Sequence, residues 1–172
     1  PGAWLGVAAA LLFLAVNAVV VRRQPAAHTF LLLVGAGAWA TGCLLFALGQ
    51  GGPAVFPWWF AFLILTIAAE RLEMTRLMRR RPAAQLMLHA VLVLLLAGAA
   101  VSGTAQRAGG LAYGAALVLL AAWLARFDVA RRTVFAHGLS RYMAICLLGG
   151  YAWLAVAGAA WMAMALGWGT RD

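Results

Sequence analysis

Two carboxylates, Glu70 and Glu73, have the spacing that most directly suggests chemistry. They are three residues apart and therefore share one face of a helix, where they could share a proton or bind a cation. A carboxylate inside a membrane usually has a functional role. The alternative, which the neighbouring Arg71 and Arg76 favour, is a structural network in which arginines neutralise both acids.

The pattern of arginine, acid and arginine around Glu73 recurs around Asp128 with the same spacing, and further arginines follow each copy. In each copy the acid and the second arginine would lie three residues apart on one helical face, where they could pair. The recurrence indicates a tandem repeat of a helical hairpin, and chance recurrence of basic helix ends is the alternative. The predicted charged network comprises Glu70, Arg71, Glu73, Arg76, Arg126, Asp128 and Arg131.

Arginines next to this network suggest a second kind of site. A guanidinium group is planar and can bind a phosphate through two hydrogen bonds, which suits it to phospholipid headgroups. Ion pairs at the level of the headgroups are the alternative. The predicted residues for binding an anionic lipid at the cytoplasmic face are Arg79, Arg80, Arg81 and Arg132.

Two of the three histidines are candidate haem ligands. Haem b in a helical bundle takes axial histidines from facing helices, so His28 and His89 could form a pair if the second and fourth helices are neighbours. The alternatives are a polar helix start for His28 and a packed, hydrogen-bonded side chain for His89. The sequence contains no histidine or cysteine spacing typical of a metal site on one helix, and no catalytic residue is predicted.

Composition determines what kind of protein must position these residues. Of 172 residues, 66% are apolar and 10% are charged, and the mean hydropathy is +0.96. Soluble domains are about 45–50% apolar and about 25% charged, so soluble and disordered proteins are excluded. The net charge of +9 comes from arginines clustered between long apolar runs, which is typical of membrane topology and not of nucleic-acid binding. We therefore expect an all-α integral membrane helical bundle.

Apolar runs separated by arginine clusters or glycine turns predict six transmembrane helices in a single domain, residues 1–172, in a bilayer that about 20 apolar residues can cross. The predicted spans are 3–21, 29–48, 54–77, 83–102, 109–126 and 141–166. Arginines concentrate at alternate connections between these spans. The positive-inside rule places those connections in the cytoplasm and both termini on the outer side of a bacterial inner membrane.

The arginine-rich ends also resemble a known group of proteins. The segments Ala69–Glu73 and Arg126–Arg132 are similar to helix ends in uncharacterised bacterial polytopic families related to the NnrS group. The NnrS group is linked to nitric-oxide stress and to haem and copper binding, so the resemblance implies a haem- or redox-associated membrane protein. It covers the second half of the chain and implies that this chain is part of a longer protein. NnrS proteins have histidines in helices where this chain has none, so no ligand residue is transferred.

Three functional hypotheses follow. A haem- or redox-associated protein predicts that His89 faces the bundle interior beside a cavity. A non-catalytic structural or assembly subunit predicts closely packed helices, acids paired with arginines, and apolar faces that contact other membrane subunits or a second copy of the chain. A small transporter predicts a polar cavity that reaches Glu70 and Glu73.

Overall fold

The computed structural model describes residues 2–74 and 82–168, and the regular structure in this part of the chain is entirely helical. The helices are α1 (Gly2–Arg23), α2 (Ala27–Ala47), α3 (Gly52–Met74), α4 (Pro82–Ser102), α5 (Gln106–Phe127), α6 (Ala130–Thr133) and α7 (Leu139–Ala165). The predicted all-α class is therefore confirmed, and six of these helices are long and apolar enough to cross a membrane, as predicted. No sequence pattern predicts the remaining one, the four-residue α6.

Glycine and proline residues separate several of the helices. Gly49 has a φ of 76°, in the left-handed region that favours glycine, and forms the turn expected between α2 and α3. Pro25 lies between α1 and α2, and the Thr29 hydroxyl near the start of α2 accepts a 3.1 Å hydrogen bond from the backbone N–H of Ala26. Gly138, with a φ of 69°, directly precedes α7. These local signals place helix boundaries close to the predicted ones.

The described helices form two compact units, and the first contains α1, α2 and α3. One aromatic side chain from each helix meets the other two in this unit. The ring centroid of Trp39 lies 5.5 Å from that of Phe13 and 5.6 Å from that of Phe62. Rings at these distances attract one another, so aromatic packing joins the three helices. Gly42 makes room for Trp59, because a methyl group at Gly42 would lie 2.5 Å from the indole ring.

The second unit contains nearly all of α4 together with α5, α6 and α7. Its helices approach one another at glycines. A methyl group on Gly158 of α7 would lie 2.7 Å from the carbonyl oxygen of Gly114 in α5. A methyl group on Gly98 of α4 would lie 2.6 Å from the backbone nitrogen of Tyr113. The backbone of α5 therefore lies close to both neighbouring helices, a mode of packing common among membrane helices.

Candidate functional site

The charged end of α3 is paired with the start of α2. Oε2 of Glu73 lies 2.7 Å from Nδ1 of His28. The two helices are neighbours joined by the short turn at Gly49, so the start of α2 and the end of α3 lie at the same level. The His28 side chain is 23% exposed and that of Glu73 is 44% exposed, so water reaches the pair. The spacing of arginines and acids does not predict that Glu73 pairs with His28. A helical hairpin formed by α2 and α3 does predict it, because the start of α2 then lies beside the end of α3.

Glu70 has a separate partner. Nη2 of Arg71 donates a hydrogen bond to Oε1 of Glu70 at 3.3 Å, and the Glu70 side chain is largely exposed. Each of the two glutamates therefore lies beside a basic side chain. Arg76, the fourth predicted member of this part of the network, lies outside the described residues.

Asp128, the acid of the second arginine and acid pattern, does not lie on a helical face with Arg131 as the sequence predicts. α5 ends at Phe127, and Asp128 follows it with an extended backbone, at φ −76° and ψ 155°. Arg131 belongs to the separate helix α6, so it does not share a helical face with Asp128. Among the described residues the two form no ion pair. Asp128 is only 6% exposed, which makes it a buried acid at the end of a membrane helix.

Asp128 binds a residue of α7 instead. The Tyr151 hydroxyl donates a hydrogen bond to Oδ2 of Asp128 at 2.6 Å, a short distance typical of a charged acceptor. The other oxygen, Oδ1, is buried and has no hydrogen-bond partner within the described part of the chain. Burying a carboxylate with an unsatisfied oxygen costs free energy. The hydrogen bond from Tyr151 offsets a large part of that cost. No local spacing identifies Tyr151, which is 23 residues away in sequence.

The arginines around Asp128 remain on the surface. The exposed ones are Arg126, Arg131, Arg132 and Arg141. None of them forms an ion pair with a residue that the structure describes. The guanidinium carbon of Arg126 lies 5.5 Å from the ring centroid of Phe127, within the range of a cation–π contact. The predicted headgroup residues Arg79, Arg80 and Arg81 lie outside the described residues.

The two candidate haem ligands lie in different units. The His89 side chain is exposed, whereas the haem hypothesis expects it to face the interior. Its Nδ1 donates a hydrogen bond to the carbonyl oxygen of Gln85 at 2.7 Å, and Nδ1 of His28 faces Glu73. In neither histidine does Nε2 form a hydrogen bond with a described residue. The described residues contain no group of three or more metal-binding side chains.

A comparison with protein families matches nearly the whole chain to one family. Residues 1–170 match a domain of unknown function, DUF8744. The chain belongs to the DUF8744 family. No curated protein and no solved structure matches it.

The two charged ends of this DUF8744 chain differ in the chemistry they can support. At the end of α3, each described acid is close to a basic side chain at the surface. At the end of α5, the acid is buried against a tyrosine and the arginines are exposed. Both described acids of the first end are therefore paired with basic side chains, whereas the second end presents guanidinium groups that can bind an anion.

Proposed function

We propose that the chain is a multi-pass protein of the bacterial inner membrane with both termini on the outer side. The support comes from the arginines, most of which lie at alternate connections between the long apolar helices. Basic connections are retained in the cytoplasm during membrane insertion. Cysteine labelling tests this orientation in a variant lacking Cys43 and Cys146.

In that variant, a cysteine replacing Gly51 should react with an impermeant maleimide in intact spheroplasts, because it follows α2 on the outer side. A cysteine replacing His137 should react only after the membrane is opened. The opposite pattern of labelling would contradict the proposed orientation.

We further propose that the chain acts as a non-catalytic structural or assembly subunit of a membrane complex. The supporting observation is the exposed face of α7. In this helix of 27 residues, the buried ones are Ala144, Tyr151 and Gly158, which recur every seven positions and form one narrow face. The opposite face is exposed, and Trp153 on it is 75% exposed.

Two adjacent glycines on that exposed face support contact with another helix. At Gly149 and Gly150, an added methyl group would meet no atom within 4 Å, so neither glycine makes room for packing inside the chain. Glycine in a helix interior costs about 1 kcal/mol relative to alanine. Small residues allow the backbone of a second membrane helix to approach closely. A helix of another subunit at this point would give the two glycines a structural role.

Site-specific photo-crosslinking tests the subunit proposal. With p-benzoylphenylalanine at position 150, irradiation of native membranes should give one discrete adduct of higher mass. The matched control has the same photoreactive residue at position 93, because Val93 is exposed in the middle of α4 and has no glycine within four residues of it. Absence of a discrete adduct at position 150, or the same adduct from both positions, would contradict the proposal.

Cys146 then distinguishes the two kinds of partner. It lies on the same face of α7 as Gly149 and Gly150, and it is exposed. If the partner is a second copy of the chain, oxidation should produce a disulfide-linked dimer that Cys146→Ala abolishes. If the partner is a different subunit, the photo-adduct should form without that dimer.

A haem-associated role is the second candidate, and one feature of the histidines supports it although His89 is exposed. In both His28 and His89, Nδ1 faces an oxygen atom, an arrangement that orients the ring and leaves Nε2 for a ligand. Either nitrogen could serve as an axial ligand of haem, which would supply electron-transfer chemistry when bound. The test is an absorption spectrum of the purified protein, oxidised and then reduced. A Soret band that shifts on reduction and is lost in His89→Ala but not in His137→Ala would support this role, whereas a spectrum showing only tryptophan would contradict it.

A further inference from the structure

We infer that the exposed surface between α5 and α7 binds the headgroups of anionic phospholipids. We call it the arginine surface. Its defining residues are Arg126, Arg131, Arg132 and Arg141. This role is separate from the helix contact proposed for Gly149 and Gly150, and it rests only on the chain lying in a membrane.

The arginine surface has a charge imbalance that its own segment does not correct. Asp128 is the acid within residues 126–141. Its carboxylate is buried, and Oδ2 accepts the hydrogen bond from Tyr151. None of the four arginines pairs with a described carboxylate. Uncompensated guanidinium groups at a membrane surface attract anionic headgroups, and each one can bind a phosphate through two hydrogen bonds.

Exposed apolar side chains in the same connection favour a lipid over a free anion. Phe135 is 84% exposed and Leu139 is 73% exposed. Both lie between Arg132 and Arg141 in sequence. Against a bilayer, such side chains enter the boundary between headgroups and acyl chains while neighbouring arginines contact the phosphates. The combination of basic and apolar groups therefore matches a phospholipid more closely than it matches inorganic phosphate.

Binding of phosphatidylglycerol to the purified chain in a neutral detergent tests the inference. Native mass spectrometry measures the bound lipid, and phosphatidylcholine is the reference without net charge. We expect the wild-type chain to bind phosphatidylglycerol more tightly than phosphatidylcholine. In R131Q/R132Q, the affinity for phosphatidylglycerol should fall about fivefold for each arginine removed, and the affinity for phosphatidylcholine should not change. In R131K/R132K most of the affinity should remain, because the charge is kept while the planar donor group is lost.

Arg107 provides the matched control. It is exposed near the start of α5, at the opposite end of that helix from the arginine surface. R107Q should therefore bind phosphatidylglycerol as the wild type does. An equal loss in R107Q and R131Q/R132Q, or no loss in either, would overturn the inference. Displacement of phosphatidylglycerol by an equal concentration of inorganic phosphate would also overturn it, because the surface would then select a free anion.

Discussion

The charged ends of α3 and α5 have the same order of arginine and acid, but their acids lie in opposite environments. Glu73 lies on a helix that continues to Met74, and it pairs at the surface with His28. Asp128 lies just beyond the end of its helix and is buried against Tyr151. The position of the helix end, and not the order of charges, therefore decides whether the acid lies at the surface or in the interior.

The two units also differ in how their helices pack. In the first, aromatic rings from three helices meet around Trp39, and Gly42 makes room for a tryptophan side chain. In the second, glycines bring backbone against backbone, as between Gly114 and Gly158. A ring can rotate to accept a new atom more easily than a helix backbone can move. The second unit should therefore be more sensitive to added volume.

The largest expected effect comes from Gly158→Leu, which breaks the backbone contact of the second unit. The Cβ atom alone would lie 2.7 Å from the Gly114 carbonyl oxygen and 2.9 Å from the Cβ atom of Leu117. Because α5 and α7 would have to separate, we expect a loss of about 3 kcal/mol in the free energy of unfolding. Denaturant unfolding in mixed micelles, followed by tryptophan fluorescence, measures it.

Two variants serve as controls for Gly158→Leu. Gly150→Leu lies in the same helix with open space around it, so the purified chain should lose no stability. Gly42→Ala meets the Trp59 ring instead of backbone and should cost less, about 1 kcal/mol. If Gly42→Ala proved as damaging as Gly158→Leu, the contrast between the two units would be incorrect.

The next largest effect is expected from Tyr151→Phe. This substitution keeps the ring and removes the hydroxyl that donates to Asp128 Oδ2. Both carboxylate oxygens would then lack a described donor, so we expect a loss of about 2 kcal/mol. The matched control is Tyr142→Phe, because Tyr142 is exposed on the same helix and should tolerate the change. An unchanged stability in Tyr151→Phe would show that Asp128 does not depend on this bond.

A smaller effect is expected from Glu73→Gln, which removes the corresponding acid at the end of α3. The pair with His28 is partly open to water, so screening reduces its contribution to less than about 1 kcal/mol. Unfolding at low and high salt provides the measurement. A loss larger than that of Tyr151→Phe would reverse the comparison between the two acids.

The smallest effect is expected from Asp128→Asn on lipid binding. Since the carboxylate is buried and pairs with no described arginine, removing its charge should leave the affinity for phosphatidylglycerol within about twofold of the wild type. Native mass spectrometry can measure this change beside R131Q/R132Q. A large gain in affinity would mean that Asp128 neutralises the arginines in the native chain.

The membrane architecture could be predicted because it depends on properties that are local in sequence. Long apolar runs specify the six candidate spans, and the left-handed turn at Gly49 separates α2 from α3. The pairing of His28 with Glu73 could also be predicted, because a short turn between α2 and α3 places the start of the first helix beside the end of the second.

The placement of Asp128 could not be predicted in this way. An acid followed three residues later by Arg131 is compatible with a continuous helix, and only a contact distant in sequence distinguishes the alternatives. That contact is made by Tyr151, which reaches Asp128 because α7 packs against α5 at Gly114 and Gly158. Whether a backbone approach of this kind occurs depends on the packed structure and not on the spacing of charges.

A pair of double-mutant cycles that share Asp128→Asn tests the central claim most directly, because the claim concerns which residue Asp128 contacts. Unfolding free energies would be measured for this variant, for Tyr151→Phe, for Arg131→Gln, and for the two combinations. The account predicts a coupling of about 1 kcal/mol between Asp128 and Tyr151, and a coupling near zero between Asp128 and Arg131. Strong coupling to Arg131 with none to Tyr151 would contradict it.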